Sequence, residues 1–260
     1  MVNLPDLPVH EYAGADGARL AYRELGEGRL LVLLHGFVST GYVNWIKYGH
    51  AELLADAGYR VVMPDLRGHG DSSRSHDPAA YPPDVLADDG FALLRHLDAS
   101  PGGFDLGGYS LGSRTSLRML VRGARPGRAV LSGMGLSRML DISHASEWYQ
   151  TVLANLGSYR HGDPEFMTQA FVKTVKGDPE ALSLVIGASV PIESEQIAAV
   201  DVPTLVLLGD QDDDHGSGVE LAGLMPEATY ATMPGSHMAA VARPELGEAI
   251  ADFLGDPRDR

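Results

Sequence analysis

A serine enclosed by two glycines is the first candidate for chemistry in this chain. Residues 108–112 read Gly-Tyr-Ser-Leu-Gly, after an apolar run that begins at Phe104 and before a run whose leucines have helical spacing. The glycines allow a tight reversal from strand to helix, because a Cβ atom at either position would clash. Such a turn exposes the hydroxyl of Ser110 near the positive end of a helix dipole. Ser110 is therefore predicted to be a nucleophile.

A serine hydroxyl at neutral pH needs a base within hydrogen-bond reach, and imidazole has a suitable pKa. Of the ten histidines, His237 directly follows the last predicted strand and lies C-terminal to the serine. His237 is the predicted base, and the competing histidines are His35, His69, His144 and His215. Of these, His35 is expected to shape a loop beside the oxyanion site and His69 to belong to a turn.

An acid that orients the base is expected after the penultimate predicted strand. Four aspartates fall within residues 210–214, and one carboxylate there can hold the imidazole and stabilise its charged form. The others are expected to be solvated or to cap the loop. Asp212 is the predicted acid, with Asp213 and Asp214 as the alternatives.

Acyl transfer also needs donors for the negative charge that develops on the substrate oxygen. The backbone N–H of Leu111, directly after the serine, is one predicted donor. The N–H of Phe37 is the other, because it follows His-Gly at the end of an earlier strand and Gly36 lets the backbone approach closely.

These groups need a sheet whose strands end at one edge. The apolar run 30–34 and the runs 59–63, 104–109, 129–131 and 204–208 alternate with helical patterns. Such alternation predicts a mostly parallel α/β sheet with helices on both faces. Asp84 is expected to cap the helix that follows it. Residues 134–200 have no strand pattern, so they are predicted to be a helical insertion in a core of residues 1–133 and 201–260.

Composition limits the partners. The formal net charge is −15 and cysteine is absent, which argues against nucleic acid, an anionic membrane surface and thiolate chemistry. No apolar stretch approaches the roughly 20 residues that span a bilayer, and residues 1–8 lack the pattern of a secretory signal. A small-molecule substrate and a cytoplasmic location are expected, while the oligomeric state is left open.

Residues 65–72, Asp-Leu-Arg-Gly-His-Gly-Asp-Ser, form a further polar loop. Its glycines indicate turns, and its spacing fits neither a phosphate loop nor a metal site. The segment from Arg67 to Ser72 is therefore expected to be part of the scaffold.

Together, residues 35–37, 65–72, 108–112, 209–212 and 235–237 resemble the α/β-hydrolase family, in its serine-nucleophile branch, over nearly the whole chain. The resemblance implies an eight-stranded sheet with a small helical lid after the sixth strand. In the family the acid lies three residues after the glycine that ends the strand, which selects Asp212. Ser113 departs from the pattern, because many relatives have a second glycine there, and is expected to affect packing more than chemistry.

The resemblance implies a Ser-His-Asp triad that hydrolyses a carboxylic ester without a metal or organic cofactor. A serine at the nucleophile position disfavours the dehalogenase and epoxide-hydrolase branches, which use aspartate. The alternatives are an enol-lactonase, a cofactor-free perhydrolase and a carbon–carbon hydrolase of ring-cleavage products. Residues 40–45 resemble the loop of that last class, although Tyr109 replaces its usual asparagine. A ligand receptor that retains the triad is an alternative of another class.

Substrate choice depends on the pocket walls. The candidate substrate-binding residues are Tyr42, Trp45, Tyr109, Met134, Trp148 and Met238. Phe171 is a further aromatic candidate in the lid. Arg138 is the one suggested anchor for a substrate carboxylate.

Overall fold

A computed structural model describes residues 7–257 and shows one eight-stranded sheet in this range. The strands are β1 His10–Ala13, β2 Arg19–Leu25, β3 Arg29–Leu34, β4 Tyr59–Asp65, β5 Phe104–Tyr109, β6 Ala129–Ser132, β7 Thr204–Gly209 and β8 Ala228–Met233. Their order is β1-β2-β4-β3-β5-β6-β7-β8. The pairs β1–β2 and β2–β4 are antiparallel, and the five other neighbouring pairs are parallel. This confirms the predicted mostly parallel sheet. Residues 1–6, which hold most of the segment inspected for a secretory signal, lie outside the described residues.

Helices follow the strands along the described chain. They are α1 His50–Asp56, α2 Val85–His96, α3 Leu111–Val121, α4 Leu136–Leu140, α5 Ser143–Ala154, α6 Phe166–Thr174, α7 Pro179–Gly187, α8 Ser194–Ala198, α9 Gly218–Leu224, α10 His237–Ala240 and α11 Pro244–Leu254. A short π-helix covers Tyr42–Ile46 and a 3-10 turn covers Pro78–Ala80. None of the described helices is long and apolar enough to cross a lipid bilayer.

The continuous apolar sequence of β3 is explained by its position between β4 and β5. Successive side chains of a strand point to opposite faces. Leu30, Val32 and Leu34 therefore pack into one apolar cluster with residues of α2 and α3. Leu31 and Leu33 pack into a second cluster, formed with residues of α1 and α11. The sheet is thus covered on both faces, as the sequence predicts.

Arg67 ties the polar loop after β4 to the first hairpin and to α2. Its guanidinium donates two 2.8 Å hydrogen bonds to the carboxylate of Asp89, and a third of 2.7 Å to Asp16 in the β1–β2 turn. The side chains of Arg67 and Asp89 are buried at 2% and 4% exposure. A buried charge of this kind is tolerated only when it is paired and hydrogen-bonded. These contacts are those of a scaffold residue.

The prediction that Asp84 caps α2 is wrong. Asp84 precedes the helix in a left-handed conformation, with φ 67°, and its side chain makes no capping hydrogen bond. Its carboxylate instead accepts hydrogen bonds of 3.0 and 2.6 Å from Arg118 and one of 3.0 Å from Arg122. Asp84 therefore joins α2 to α3, a long-range role that local sequence does not indicate.

The segment between β6 and β7 is helical throughout its regular structure, with helices α4 to α8. α5 packs against α7 and α6. Tyr149 of α5 contacts Phe37 of the loop after β3, with 4.7 Å between ring centroids. This places α5 beside the carboxyl edge of the sheet, whereas the exact division into core and lid stays a prediction.

Candidate active site

Ser110 occupies a strained turn between β5 and α3. Its backbone has φ 54° and ψ −116°, a conformation that L-residues with a side chain rarely adopt. Gly108 and Gly112 make the turn feasible, because a Cβ at Gly108 would collide with the backbone of Gly112 and one at Gly112 would collide with the carbonyl of Leu34. The strain holds the Ser110 side chain at the end of the central strand β5, as expected from the motif.

His237 lies at the start of α10, directly after the loop that follows β8. Its Nε2 is 3.1 Å from Oγ of Ser110, and its Nδ1 is 2.9 Å from Oδ2 of Asp212. A neutral ring that donates from Nδ1 to the carboxylate can accept the hydroxyl proton at Nε2. The structure therefore brings the three predicted residues into one hydrogen-bonded row.

Asp212 is the one of the three neighbouring aspartates that reaches this row. Its side chain is 1% exposed, whereas Asp213 and Asp214 are exposed. Burial alone would raise the pKa of Asp212, but hydrogen bonds from His215 and His237 outweigh it and lower the pKa to about 2. Burial lowers the pKa of His237, partly offset by the hydrogen bond to Asp212. A charged acid therefore faces a neutral base.

His215 contacts both Asp212 and His237. The sequence indicates it only as a competing base. Its Nδ1 donates to Oδ1 of Asp212 over 2.6 Å. Its ring stacks on that of His237, with centroids 3.6 Å apart and planes inclined by 10°. The spacing of three residues from Asp212 is the only sequence signal of this contact, and it does not specify the stacking.

The predicted oxyanion loop lies directly against the serine. A Cβ atom at Gly36 would be 3.4 Å from Cβ of Ser110. Two side chains hold this loop, since Oδ1 of Asn44 accepts from the Gly36 N–H at 3.0 Å and Nε2 of His69 accepts from the Val38 N–H at 3.2 Å.

The two predicted donors are free within this arrangement. The N–H groups of Phe37 and Leu111 have no acceptor among residues 7–257, and both residues line the same cavity as Ser110. Backbone donors fixed in this way can hold a developing oxyanion without reorganising.

His35 and His69 support the loop as neutral rings. Nε2 of His35 accepts from the Leu66 N–H at 2.9 Å and its Nδ1 donates to the Gly36 carbonyl at 2.8 Å. Burial lowers the pKa of His35 to about 4 and that of His69 to about 3. The loop-shaping expectation for His35 agrees with these contacts. His69 has more than a turn role, because it holds the oxyanion loop. Neither this contact nor that of Asn44 is predicted from the sequence.

A cavity of about 630 Å³ opens above Ser110. Three of the candidate substrate-binding residues, Met134, Trp148 and Met238, line it. That they bind substrate stays a prediction. Its other apolar walls come mainly from the helical segment between β6 and β7, with Ile142, Ala145, Tyr149 and Ile186. Arg138 also lines it, and its Nε donates to the backbone carbonyl of Asp214 at 3.2 Å.

Three predicted substrate-binding residues are not brought to this cavity. Trp45 is fully buried in the apolar cluster on the α1 and α11 face of the sheet, and Tyr42 packs against the same cluster. Tyr109 is buried there too, and its hydroxyl donates to the backbone carbonyl of His237 at 2.6 Å. Phe171 packs with Val38 and other residues in a separate apolar cluster. These large aromatic side chains are predicted to line the pocket because of their size, but in the structure they pack in or against apolar clusters.

Among the described residues, one group of three is close enough to hold a metal ion, and it consists of Asp212, His215 and His237. Hydrogen bonding explains this closeness, because each carboxylate oxygen already accepts from one of the two Nδ1 atoms. We therefore assign the group to hydrogen bonding and not to metal ligation.

Comparison with known proteins places the chain in a family. A sequence model described as the alpha/beta hydrolase fold matches residues 29–171. The chain is 27% identical over 253 residues to the non-heme chloroperoxidase CPO-A1 of Kitasatospora aureofaciens, covering 85% of this chain and 89% of that protein.

Solved structures show the same fold. An esterase from Thermogutta terrifontis superimposes with a TM-score of 0.75 at 23% identity, covering 95% of this chain and 98% of that one. An enol-lactonase from Burkholderia xenovorans LB400 gives a TM-score of 0.72 at 23% identity, covering 94% and 99%. The chain therefore belongs to the α/β-hydrolase fold family.

Proposed function

We propose that this protein is a serine hydrolase that cleaves small-molecule carboxylic esters through an acyl-enzyme. The observation that carries the proposal is the row of hydrogen bonds from Ser110 Oγ to His237 Nε2, at 3.1 Å, and from His237 Nδ1 to Asp212, at 2.9 Å. A serine hydroxyl, a neutral imidazole and a charged carboxylate in this order activate a nucleophile.

In the first half-reaction, His237 takes the proton of Ser110 as Oγ attacks the ester carbon. The imidazolium that forms is stabilised by the carboxylate of Asp212. The N–H groups of Phe37 and Leu111 support the negative charge on the carbonyl oxygen. His237 then gives the proton to the departing alkoxide, which leaves as an alcohol.

In the second half-reaction, water takes the place of the alcohol. His237 removes a proton from the water, which attacks the acyl carbon, and then returns the proton to Oγ of Ser110. The products are a carboxylic acid and the free enzyme. The largely apolar cavity favours an uncharged alkyl or aryl substrate, since apolar groups are stabilised by leaving water.

Ser110→Ala tests the proposal with p-nitrophenyl acetate as substrate. The variant is expected to lose hydrolysis by at least about 10³-fold with an unchanged melting temperature. Ser158→Ala is the matched control, because Ser158 is exposed and, among residues 7–257, its hydroxyl bonds only to the backbone carbonyl of Asn155. Full activity of Ser110→Ala would exclude the acyl-enzyme mechanism.

Perhydrolysis of an ester is a second candidate, favoured by the likeness to the chloroperoxidase over 85% of the chain. Hydrogen peroxide in place of water would attack the acyl-enzyme, giving a peroxy acid and free Ser110. Formation of peracetic acid from p-nitrophenyl acetate and peroxide, absent in Ser110→Ala, would support it.

A vinylogous diketone assayed beside the ester distinguishes both activities from carbon–carbon hydrolysis. Fast turnover of any of these substrates would exclude a receptor.

A further inference from the structure

His215 makes contacts that the proposed ester hydrolysis does not use. It binds the oxygen of Asp212 that His237 leaves free, and its ring lies face to face with that of His237. The side chains of His215 and His237 are 23% and 14% exposed. One buried carboxylate is thus shared by two parallel imidazoles.

We propose that His215 is a positioning residue that fixes the carboxylate of Asp212 and keeps His237 unprotonated into mildly acidic solution. The inference rests on the proposed function, because it concerns the base of that reaction. His215 itself transfers no proton to the substrate.

The positioning follows from the hydrogen bonds. A carboxylate held at one oxygen only can rotate about its χ2 torsion, which is broad and weakly restrained. The 2.6 Å bond from His215 to Oδ1 removes this freedom and leaves Oδ2 directed at His237 Nδ1. Hydrogen bonds to charged groups are the stronger ones in proteins.

The effect on the pKa of His237 follows because both imidazoles bind the same carboxylate. A positive charge on one ring repels a positive charge on the other, so the second ring is harder to protonate. His237 is the more buried ring, and burial already disfavours its charged form. A charge on His215 therefore lowers the pKa of His237 further, in the direction that keeps the base active.

Other titratable or charged groups also surround His237. Ser110 hydrogen-bonds to its Nε2 and Tyr109 packs near its ring, whereas Asp214, Arg138 and His144 only line the same cavity. Burial raises the pKa of Tyr109, which keeps it neutral. Asp210 accepts from the Gly235 N–H at 2.8 Å, and His144 is 88% exposed. Within the described chain, His215 alone stacks on His237 and shares its carboxylate.

Two substitutions separate the two effects. His215→Asn keeps a neutral donor near Oδ1 but removes the titratable ring, whereas His215→Phe keeps a ring that can neither donate nor be protonated. We expect both variants to move the acid midpoint of kcat/KM for p-nitrophenyl acetate upward by about 0.5 to 1 pH unit. Their kcat/KM should then fall about three- to tenfold at pH values below both midpoints. Only His215→Phe should also lose about three- to tenfold in kcat at pH 8.5.

The control variant is His161→Asn, which removes an exposed histidine that does not line the cavity above Ser110. Its acid midpoint should stay within about 0.2 pH unit of the parent, since an exposed charge is screened by solvent. A histidine NMR titration of the parent and His215→Asn reads the protonation of His237 directly and needs no substrate. It should show the same upward shift of about 0.5 to 1 pH unit.

The outcomes separate the two proposals. Absence of ester hydrolysis in the parent, with the expected NMR shift present, would overturn the substrate assignment and leave the role of His215 intact. Hydrolysis that depends on Ser110, with an unmoved midpoint and an unmoved NMR titration in His215→Asn, would overturn the role of His215 alone. A merely structural role would lower the melting temperature without moving either titration.

Discussion

The imidazole of His69 accepts a hydrogen bond from the backbone N–H of Val38, with 3.2 Å between the nitrogen atoms. Val38 has φ 62°, a conformation that is unfavourable for a β-branched residue. The bond therefore stabilises a strained residue beside Phe37, whose N–H is a proposed oxyanion donor. In this way the side chain of His69, in the loop after β4, supports the shape of the loop after β3.

Replacing His69 should impair catalysis through this loop. His69→Phe keeps a ring but removes the acceptor for the Val38 N–H, which leaves a buried donor unsatisfied. Such a loss costs about 1 to 3 kcal/mol. We expect kcat/KM for p-nitrophenyl acetate to fall about 10- to 100-fold, with a lower melting temperature. His96→Phe, at an exposed position of α2, should retain full kcat/KM. A destabilised His69→Phe with full activity would show that other contacts hold the loop.

The choice among the neighbouring aspartates can be tested by single amide substitutions. Asp212→Asn removes the charge that stabilises the imidazolium and disturbs the tautomer of His237. The expected loss in kcat is about 10³- to 10⁴-fold. Asp213→Asn should stay within about twofold, because its exposed side chain is screened by solvent. Steady-state kinetics at pH 8 compare the two variants, and a larger loss in Asp213→Asn would reassign the acid.

The sheet, the serine and its partners are predictable from sequence because each has a local signature. The apolar run of β3 predicts a covered strand, and the glycines around Ser110 predict its turn. The stacking of His215 on His237 has no such signature, since it joins residues that are 22 positions apart in the sequence.

The pocket is harder to predict because it depends on which face an aromatic side chain takes. Trp45 has the size of a pocket residue, but the short π-helix turns it into the core, where it is 0% exposed. Trp148 has the same chemistry and reaches the cavity because α5 lies across the sheet edge. The phase of each helix relative to the core is set by long-range packing, which spacing alone does not reveal.

Stability should fall in mildly acidic solution, because two buried histidines are neutral in the folded chain. In the folded chain the pKa values of His35 and His69 are about 4 and about 3, below the ordinary value of about 6.5 that applies to the unfolded chain. Between pH 6.5 and about 4, His35 and His69 are protonated in the unfolded chain and neutral in the folded chain. The stabilisation is thus complete above pH 6.5 and is lost as the pH falls toward 4 and 3.

Urea denaturation between pH 8 and 5 measures this loss. Each histidine contributes about 1.4 kcal/mol per pH unit, so the free energy of unfolding should decline by about 2 to 3 kcal/mol per unit near pH 5. His76→Asn is the control. Its partner Asp178 raises the pKa of His76, so this residue is protonated in both states at pH 5 and its loss should not change the slope. A flat profile between pH 7 and 5 would contradict the neutral assignment of the two buried rings.

Acyl-chain preference should distinguish residues that line the cavity from residues that only support it. Trp148 lines the cavity and packs on Tyr149, with 4.9 Å between ring centroids. Trp148→Ala therefore widens the apolar wall. Relative to acetate, kcat/KM for p-nitrophenyl octanoate should rise by about fivefold, because the added space accepts further methylene groups that gain about 0.8 kcal/mol each on burial.

Tyr109→Phe is the matched comparison for this effect. It removes only the 2.6 Å hydrogen bond from the hydroxyl to the backbone carbonyl of His237, and the ring stays outside the cavity. The base then loses part of its support for every substrate, so kcat/KM should fall about two- to tenfold for acetate and octanoate alike. An unaltered acetate-to-octanoate ratio in Trp148→Ala would mean that the acyl chain does not lie along the α5 wall. An altered ratio in Tyr109→Phe would mean that the ratio does not report on the cavity wall alone.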